Sequence, residues 1–586
     1  MEKLAKLREK MADNKIDALV IINSDAHQSE YLSDHWKVGE WFSGFTGSNS
    51  LIVATEKEAG LWTDGRYFIQ AEQELKGSGI TLFRLNEPGV PTYRKWLNEN
   101  LAKTAKIAFD GRTMSASNFE ALNKELKGKT ITYDFGDLAD ELWKERPKLV
   151  KNDIILHKRR YAGKSVADKL KIVRSEMKKT EADMYLVAAL DDIAWLTNMR
   201  GDDIPQTPVF FAFLLISEKS AKLFVEKSKI TDKLAKHLKD FEICEYERAF
   251  DVVKKECEGK TVLYSPNSTN VQLFNALPKT VKTSLIIPKL KAVKNSNEIR
   301  SMKNAFIREG VALVGLLKWV SENKDAKIKE ADVQLEISAR RKRQRNCLGD
   351  SFTTIAGYGA NAASPHYSPK NGGAIIKNKG LLLIDTGGQY LDGTTDITRT
   401  VAMGALTDEM KRDYTLVLKS HIALATAKFP KGTLGIQLDV FARQHVWAAN
   451  QDYKHGTGHG LGFCLGVHEG PASISLRVNK QEILPGMVFT NEPAMYRRGK
   501  HGIRTENVLL VVPLKKTEFG DFLGFETISF CPIDTRPIEP TLLTAQEKDW
   551  LKKYNKRVYE TLSPFLTSDE KKWLKNECKS IFNTKD

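Results

Sequence analysis

Two segments of the chain share a pattern at a constant offset of 166 residues. The first, LREKMADNKIDALVI, begins at Leu7, and the second, VRSEMKKTEADMYLV, begins at Val173. In both, a charged helical pattern leads directly into an apolar strand, and Met11 of the first segment recurs as Met177 in the second. A shared pattern at a fixed offset predicts a duplicated α/β domain.

The segments that follow the two repeats are rich in turns and aromatic residues, and helices and strands alternate in both, which is typical of α/β domains. A chain of 586 residues is too long for a single hydrophobic core, and its length suggests about three domains. We therefore predict an α/β (α+β) protein with one α/β domain at 1-158, a second, related one at 159-292, and a third domain at 293-586 that ends in paired helices.

The composition, 41% hydrophobic and 28% charged, is ordinary for a soluble globular protein. The net charge of +16 is more typical of a lysine-rich surface than of nucleic-acid binding. The first residues lack the apolar segment of a secretory signal, and no apolar run has the length that a membrane helix needs. The six cysteines are widely spaced without a CxxC pair, so we expect neither a disulfide framework nor a zinc ribbon, and a cytosolic location follows.

Two aspartates flank a turn in the stretch LLLIDTGGQYLDGTTDITRT, residues 381–400. An apolar strand, turn residues and a second strand predict an antiparallel hairpin, in which Asp385 and Asp396 can converge on one face. Two carboxylates at such a short distance repel each other unless a cation lies between them. The alternative is that each aspartate caps a turn, before Thr386 and before Thr398, and this stretch alone does not decide between the two.

A glycine-rich segment, HGTGHGLGFCLGVHEGP, holds three of the eleven histidines. The glycines leave the backbone free to turn His455, His459 and His468 toward one point, which favours a ligand or acid–base role over isolated surface histidines. Further along, Glu492 in NEP ends an apolar strand, and Glu506 in RTEN precedes another. Burial of either glutamate is costly without compensation.

Four carboxylates and one imidazole thus form an oxygen-rich set in the third domain: Asp385, Asp396, His459, Glu492 and Glu506. Such a set suits two divalent ions that share carboxylates, and hard ions such as Mn²⁺ are preferred, although the ligand types also accept zinc or cobalt. Because a water between two such ions is readily deprotonated, the set predicts a hydrolase.

The spacing and surroundings of these residues resemble the metal site of the M24 metallopeptidases, which have the pita-bread fold. Further motifs, among them WFSGFTGSNS, IAWLTNMRGDDIPQTPVFF, HYSP, GTTDITRT and VHEGP, extend the resemblance over nearly the whole chain, to the long, three-domain Xaa-Pro aminopeptidases (aminopeptidase P). The resemblance implies two creatinase-like α/β domains before a pita-bread catalytic domain at 293-586. It also implies a cytosolic homodimer with two divalent metal ions, expected to be Mn²⁺, that acts on peptides with penultimate proline.

The implied activity is removal of the N-terminal residue by attack of a metal-bridging hydroxide on the Xaa-Pro bond. By this resemblance, Asp385 binds one metal ion, Asp396 and Glu506 bridge both ions, and His459 with Glu492 binds the other.

Three further histidines match active-site positions of the family: His366 of HYSP, His455 and His468. They are expected to bind substrate, stabilise the oxyanion and pass a proton to the leaving proline nitrogen, while Glu492 exchanges a proton with the nucleophile. Strand alternation predicts that Arg504 lies on the same face as the glutamate two residues later, where it could orient that bridging carboxylate.

Three basic features are open to more than one interpretation. Arg399 fits a position beside the site or one on the surface. The run ARRKRQRN at 339–346 resembles a nucleic-acid patch, but it continues an amphipathic helix and therefore predicts a solvated helix face. The sequence does not assign Arg66 of DGRYF.

Other enzymes and binding proteins share parts of this pattern. Methionine aminopeptidases have the five ligands but lack two preceding α/β domains, and prolidases cleave dipeptides with the same metal site. Some pita-bread proteins have lost the metals and bind histones or RNA. The three-domain length, the VHEGP segment and the intact ligand set favour the aminopeptidase, with a prolidase-type dipeptidase as the alternative and no nucleic-acid or membrane partner expected.

Overall fold

The computed structural model describes residues 2–136 and 138–579, in which the chain forms two compact units. The first unit comprises Met1–Lys158 and Lys164–Ile287, and the second comprises Arg159–Gly163 and Pro288–Asp586. Among the described residues, no helix is both long and apolar enough to cross a membrane.

The elements up to residue 292 are as follows. The helices are α1 (Glu2–Asp13), α2 (Val38–Ser43), α3 (Phe68–Glu74), α4 (Tyr93–Asn100), α5 (Ala116–Glu125), α6 (Leu138–Leu142), α7 (Arg159–Ala162), α8 (Val166–Lys179), α9 (Leu190–Thr197), α10 (Asp232–His237), α11 (Ala249–Glu256), α12 (Val271–Ala276) and α13 (Ile286–Ala292). The strands are β1 (Ala18–Ile22), β2 (Leu51–Thr55), β3 (Ala59–Thr63), β4 (Thr81–Arg84), β5 (Lys106–Phe109), β6 (Thr130–Thr132), β7 (Ile155–Leu156), β8 (Met184–Val187), β9 (Met199–Arg200), β10 (Ala212–Ser217), β11 (Ala221–Val225), β12 (Glu242–Cys244), β13 (Val262–Tyr264) and β14 (Val281–Thr283).

The first unit contains two six-stranded sheets with the same topology. Their strand orders are β4-β3-β2-β1-β5-β6 and β12-β11-β10-β8-β13-β14. In each sheet, the strand that follows the repeated helix pairs antiparallel with one neighbour and parallel with the other: β1 with β2 and β5, and β8 with β10 and β13. The sheets therefore confirm the duplication that the 166-residue offset predicts.

The repeated helix owes its position to a cap and an apolar stripe. At the start of α8, the Ser165 hydroxyl accepts from the Asp168 backbone N–H while the Asp168 side chain accepts from the Ser165 backbone, a reciprocal cap. Residues three or four apart on α8 are buried, as in α1: Leu170, Val173 and Met177 in the former, and Leu4, Leu7 and Met11 in the latter. This spacing places one apolar face of each helix against its own sheet.

The second unit has six long helices and fourteen strands among its described residues after 292. The helices are α14 (Ser296–Glu322), α15 (Glu330–Lys342), α16 (Asp408–Ala425), α17 (Gly435–Ala448), α18 (Ala545–Leu562) and α19 (Ser568–Glu577). The strands are β15 (Cys347–Asp350), β16 (Ile355–Tyr358), β17 (Leu381–Thr386), β18 (Gly388–Tyr390), β19 (Gly393–Thr394), β20 (Ile397–Ala402), β21 (Phe429–Pro430), β22 (Gly458–Gly460), β23 (Glu469–Ile474), β24 (Val488–Asn491), β25 (Ala494–Arg497), β26 (His501–Arg504), β27 (Asn507–Thr517) and β28 (Gly520–Thr527).

Two sheets of the second unit carry or border on the five predicted metal ligands, and helices cover each of them. The smaller sheet has the order β16-β17-β20, and side chains of α14 and α15 share a core cluster with it. The larger sheet has the order β21-β28-β27-β24-β22-β23, and side chains of α16 and α17 pack on it. The predicted hairpin is present, since β17 pairs antiparallel with β20 and Asp385 lies opposite Thr398.

The basic run at 339–346 lies partly inside the protein. It continues α15 as predicted, but the expectation of a solvated face is wrong for Arg341, which is fully buried. The Arg341 guanidinium donates to Glu309 at 2.7 Å and pairs with Asp350. Arg341 follows Val333 and Ile337 at intervals of four residues, so the apolar stripe of the helix turns it inward.

Candidate metal centre

The five predicted ligands lie at strand ends of the two sheets. Asp385 is in β17, Asp396 immediately precedes β20, His459 is in β22, Glu492 immediately follows β24, and Glu506 immediately precedes β27. A backbone hydrogen bond joins the two sheets at this point, because the Glu506 N–H donates to the Thr398 carbonyl oxygen at 3.1 Å. Residues separated by up to 121 positions in sequence thereby meet at one place.

Asp396, His459 and Glu506 form the centre of the cluster. Each offers one ligand atom, and these three atoms lie within 4.8 Å of one another. His459 Nε2 is 3.4 Å from Asp396 Oδ2 and 3.7 Å from Glu492 Oε1. His459 Nδ1 lies 2.9 Å from the Gly460 carbonyl oxygen. Since a carbonyl can only accept, Nδ1 carries the proton, and Nε2 presents a lone pair to the carboxylates.

Asp385 is held by Arg504. Arg504 Nη2 donates to Asp385 Oδ2 at 2.5 Å, and among the described residues Asp385 Oδ1 is buried without a hydrogen-bond partner. Arg504 Nε donates to Thr398 Oγ1 at 3.3 Å, and Thr398 in turn donates to Glu506 Oε2 at 2.7 Å. The guanidinium therefore contacts Asp385 directly and reaches Glu506, the carboxylate that it was expected to orient, through Thr398.

The buried carboxylates repel one another. The pKa of Asp396 is well above its usual range because of burial and then because of the charges of Asp385 and Glu492, which outweigh Arg504. Burial, together with the charges of Asp396 and Asp385, raises the pKa of Glu506 in the same way. A cluster that is rich in carboxylate oxygens, with an imidazole lone pair and a buried unpartnered oxygen on Asp385, fits divalent cations.

The other predicted histidines lie beside this cluster. His455 Nδ1 is 3.8 Å from Glu492 Oε2, and the ring of His468 lies edge-on to that of His459, with centroids 4.2 Å apart. His366 is half-buried in the loop after β16, and the carbonyl oxygen of the preceding Pro365 accepts from Arg504 Nη2 at 3.4 Å.

Tyr496 connects His455 to Arg504, and the sequence gives no prediction for it. Its hydroxyl accepts from Arg504 Nη1 and lies 2.9 Å from His455 Nε2. His455 Nδ1 lies 2.8 Å from the Gly456 carbonyl oxygen and so carries the ring proton, which leaves Nε2 to accept from Tyr496. Burial raises the pKa of Tyr496, so the phenol remains protonated and donates.

A second residue without a sequence prediction, His421 of α16, supports two of the glutamates. Its Nδ1 lies 3.1 Å from the carbonyl oxygen of Asn491, and its Nε2 accepts from Asn507 Nδ2 at 3.0 Å. Asn491 precedes Glu492 and Asn507 follows Glu506. The pairing of each glutamate with an adjacent asparagine, in NEP and in TEN, was a signal that could have pointed to a shared partner.

Arg399 is buried, so its surface alternative is wrong. Its guanidinium donates to the Glu506 carbonyl oxygen, to Asn507 Oδ1 at 2.9 Å and to Tyr554 Oη at 2.8 Å. Arg399 thus fixes the backbone that carries Glu506 without contacting its carboxylate. Arg66, in the first unit, pairs with Asp64 at 2.8 Å.

The fold and the carboxylate cluster together define a metallopeptidase. Residues 300–513 match metallopeptidase family M24, and residues 521–581 match the C-terminal region of peptidase M24. Residues 3–146 and 145–298 each match a creatinase/prolidase N-terminal domain.

Similarity to individual proteins covers almost the whole chain. A probable Xaa-Pro aminopeptidase P of Laccaria bicolor is 39% identical over 96% of this chain and 91% of its own length. Xaa-Pro aminopeptidase 1 of Dictyostelium discoideum is 38% identical over 96% of this chain and 93% of its own length. The crystal structure of X-prolyl aminopeptidase from Caenorhabditis elegans, described as a cytosolic enzyme with a di-nuclear active site, superimposes with a TM-score of 0.95 at 33% identity over 99% of each chain. The chain belongs to the Xaa-Pro aminopeptidases of metallopeptidase family M24.

Proposed function

We propose that this chain is a metal-dependent aminopeptidase that removes the N-terminal residue from peptides with proline in the second position. The observation that carries the proposal is the meeting of Asp396, His459 and Glu506 within 4.8 Å, beside the buried Asp385. Similarity to Xaa-Pro aminopeptidases over 96% of the chain supports the choice of substrate.

Two divalent ions are the proposed cofactor, held by Asp385, Asp396, His459, Glu492 and Glu506. The raised pKa values of Asp396 and Glu506 support this, because neighbouring positive charge would relieve their repulsion. Manganese is proposed because oxygen ligands dominate the set. When bound, the ions lower the pKa of a shared water and polarise the scissile carbonyl.

The chain's own side chains would handle the protons of the reaction. Glu492 would accept the proton of the attacking water, and its Oε2 lies 3.8 Å from His455 Nδ1. The nitrogen of an Xaa-Pro bond leaves as a secondary amine and must be protonated, which is a task for an imidazole near the bond. We assign His366, His455 and His468 to substrate binding and proton transfer, with Tyr496 holding the His455 ring in place.

Arg504 would act by position and charge. Its bond to Asp385 Oδ2 fixes one carboxylate oxygen, which leaves Oδ1 for a ligand. Its charge also lowers the pKa values of Asp396 and Glu506, in opposition to their burial.

We further propose that the enzyme is a cytosolic homodimer. All six cysteines are free thiols, in keeping with a reducing compartment, and the C. elegans protein is described as cytosolic. On α17, Val440, Phe441 and Trp447 share the outward face and are 45%, 39% and 41% exposed. Three large apolar side chains on one exposed helix face support an isologous contact with a second copy.

We also propose the division of the chain into domains at 1-158, 159-292 and 293-586. The matches to creatinase-type domains over 3–146 and 145–298, and to family M24 over 300–513, support it. The two related sheets of the first unit correspond to the first two of these domains.

The test is hydrolysis of Arg-Pro-Pro, Arg-Ala-Pro and the dipeptide Gly-Pro by the purified protein, with Mn²⁺ and after EDTA treatment. We expect release of arginine from Arg-Pro-Pro with Mn²⁺, little release from Arg-Ala-Pro, and loss of activity after EDTA. Cleavage of Gly-Pro alone would instead identify a dipeptidase. A metal-loaded protein that cleaves none of the three would overturn the proposal.

A further inference from the structure

One buried carboxylate outside the metal centre accepts hydrogen bonds from four groups of one distant segment. Glu330, the first residue of α15, is fully buried. Its Oε1 accepts from the Tyr358 backbone N–H at 2.7 Å and from Asn361 Nδ2 at 3.0 Å. Its Oε2 accepts from Tyr367 Oη at 2.8 Å and from the Ala374 backbone N–H at 2.6 Å. Glu330 belongs to α15, but all four donor groups lie in one distant segment that begins at the last residue of β16.

The four donors bracket His366. They are spread over residues 358–374, which we call the HYSP loop, and Tyr367 is the residue that follows His366. The end of the loop also pairs with the start of α15, since the Glu330 N–H donates to the Ala374 carbonyl oxygen at 3.2 Å. One carboxylate thus holds the start, the middle and the end of the loop.

The opposite side of the HYSP loop packs on the metal centre. A Cβ atom at Gly502, in β26, would lie 1.8 Å from the Ala362 carbonyl oxygen, so the loop and this strand are in close backbone contact. Arg504, two residues further on, donates to the Pro365 carbonyl oxygen at 3.4 Å while it binds Asp385. The loop is therefore held between Glu330 on one side and Arg504 on the other.

A buried carboxylate is tolerated only when its oxygens are satisfied, and hydrogen bonds to an ionised group are stronger than those between neutral groups. A movement of the HYSP loop that displaced His366 would break several of these bonds and leave a charge unsolvated. We propose that Glu330 is a positioning residue, which fixes the HYSP loop and through it the ring of His366 at the active site. This inference rests on the proposed role of His366 in hydrolysis.

The test compares Glu330→Gln with variants of two neighbouring tyrosines, in the metal-loaded full-length enzyme. Glutamine keeps the shape of Glu330 but replaces one accepting oxygen with an N–H₂ group. That group faces hydrogen-bond donors of the loop, so at least one contact to the loop is lost. Tyr367→Phe removes one of the four donors to Glu330 and, with it, an oxygen that accepts from Asn361 Nδ2 at 3.0 Å. The matched control is Tyr358→Phe, because the Tyr358 hydroxyl donates to the Lys379 carbonyl oxygen and not to Glu330.

Two readouts separate the loop from the reaction. Hydrogen exchange of the amides in 358–374 should become faster in Glu330→Gln and remain at the parent level in Tyr358→Phe. For Arg-Pro-Pro hydrolysis, kcat/KM should fall about tenfold in Glu330→Gln and less in Tyr367→Phe, with metal content unchanged. In a His366→Ala background, Glu330→Gln should cost no more than about twofold further, since both changes affect the same side chain.

If the losses of kcat/KM in Glu330→Gln and His366→Ala multiply fully in the double variant, Glu330 acts independently of His366, and the inference is overturned. Parent-like exchange of the loop in Glu330→Gln would overturn it as well. If Glu330→Gln does not fold, Tyr367→Phe decides on the same readouts, because it keeps the carboxylate. A parent enzyme without Xaa-Pro activity would instead overturn the proposed function, and the exchange data would still show whether Glu330 holds the loop.

Discussion

The side chains of Asp64 in the first unit and Asp396 in the second are both largely buried, yet their pKa values shift in opposite directions. Burial alone would raise the pKa of Asp64, but hydrogen bonds from Arg66 and its charge lower it to about 2. The pKa of Asp396 is well above its usual range because burial and the neighbouring carboxylates outweigh Arg504. Burial by itself therefore does not identify a metal ligand. Burial among charges of the same sign is the condition that favours a cation.

The origin of the charges differs in the same way. Arg66 lies two residues from Asp64 in one turn, so the local sequence supplies the compensation. In the metal centre, separate strands bring Asp385, Asp396 and Glu506 together. The packing of the two sheets holds these like charges close to one another despite their repulsion. In the first unit an arginine neutralises the negative charge of the aspartate. In the second unit, divalent ions would neutralise the charge of the carboxylate cluster.

Replacement of Asp396 should have the largest effect. Asp396→Ala or Glu506→Ala removes a proposed bridge between the ions, and we expect activity to fall by about 10³-fold or more with loss of bound metal. The apo-protein should become no less stable than the parent apo-protein, because a repulsive charge is gone. Activity assays, metal analysis by mass spectrometry and thermal unfolding measure these three quantities.

His455→Ala is the matched control for this substitution. It should slow turnover while metal is retained, since His455 contacts Glu492 and Tyr496 and is not a proposed ligand. Full metal occupancy and full activity in Asp396→Ala would contradict the assignment of the site.

Removal of Arg504 would increase the difference between the metal-centre carboxylates and Asp64, which keeps its arginine. Arg504→Met leaves Asp385 buried without its partner, and we expect a loss of about 10- to 100-fold in metal affinity or kcat/KM. Tyr496→Phe keeps the pair of Arg504 and Asp385, so it should lower turnover without weakening metal binding. Equal metal affinity in Arg504→Met and the parent would show that Arg504 does not support the ligand set.

The pH dependence of stability should reveal the buried histidine beside the site. Burial and then the charge of Arg399 lower the pKa of His421 to about 3. The unfolded chain, with a histidine pKa near 6.5, therefore binds the proton more tightly, and stability is lost as pH falls below 6.5. Between pH 7 and pH 5 the loss is about 2 kcal/mol.

Denaturant unfolding of the metal-loaded protein and of His421→Gln at both pH values checks this expectation. The parent should lose about 2 kcal/mol more than the variant, since glutamine does not titrate. The same pH dependence in both proteins would exclude His421 as the cause.

Loss of the counter-ion in the first unit should have the smallest effect. The Arg66 side chain is 25% exposed, so solvent screens its pair with Asp64, and Arg66→Met should cost about 1 kcal/mol or less of stability. We expect metal content and kcat/KM to match the parent. A loss of activity with normal stability would mean that Arg66 contributes to hydrolysis after all.

Features that repeat along the sequence were predictable. The 166-residue offset predicts two sheets that share one strand order, and the alternation of apolar and turn residues predicts the hairpin of β17 and β20. The meeting of Asp396, His459 and Glu506 could also be anticipated, because histidines and acidic residues at the ends of apolar strands are costly unless they have a function.

Long-range partners were not predictable. The alternation of side chains predicts which face a residue lies on only within one continuous strand. Arg504 is the last residue of β26, and β27 begins at Asn507, so Glu506 does not belong to the same strand. Arg504 donates to Asp385 and reaches Glu506 through Thr398, contacts that strand alternation does not specify. His421 lies about 70 residues before Asn491 in sequence, and no local pattern links a helix to two strands at that separation.

The contacts of His421 also bear on which ion the enzyme selects. A single imidazole joins the residue before Glu492 to the residue after Glu506, and these two residues are also cross-strand partners in β24 and β27, so α16 reinforces the spacing of the two glutamates. A rigid spacing discriminates between ions by their radius, because ions of different size require different metal–oxygen distances. With these two glutamates as proposed ligands, preference for a small or a large divalent ion would depend in part on a helix that contributes no ligand itself.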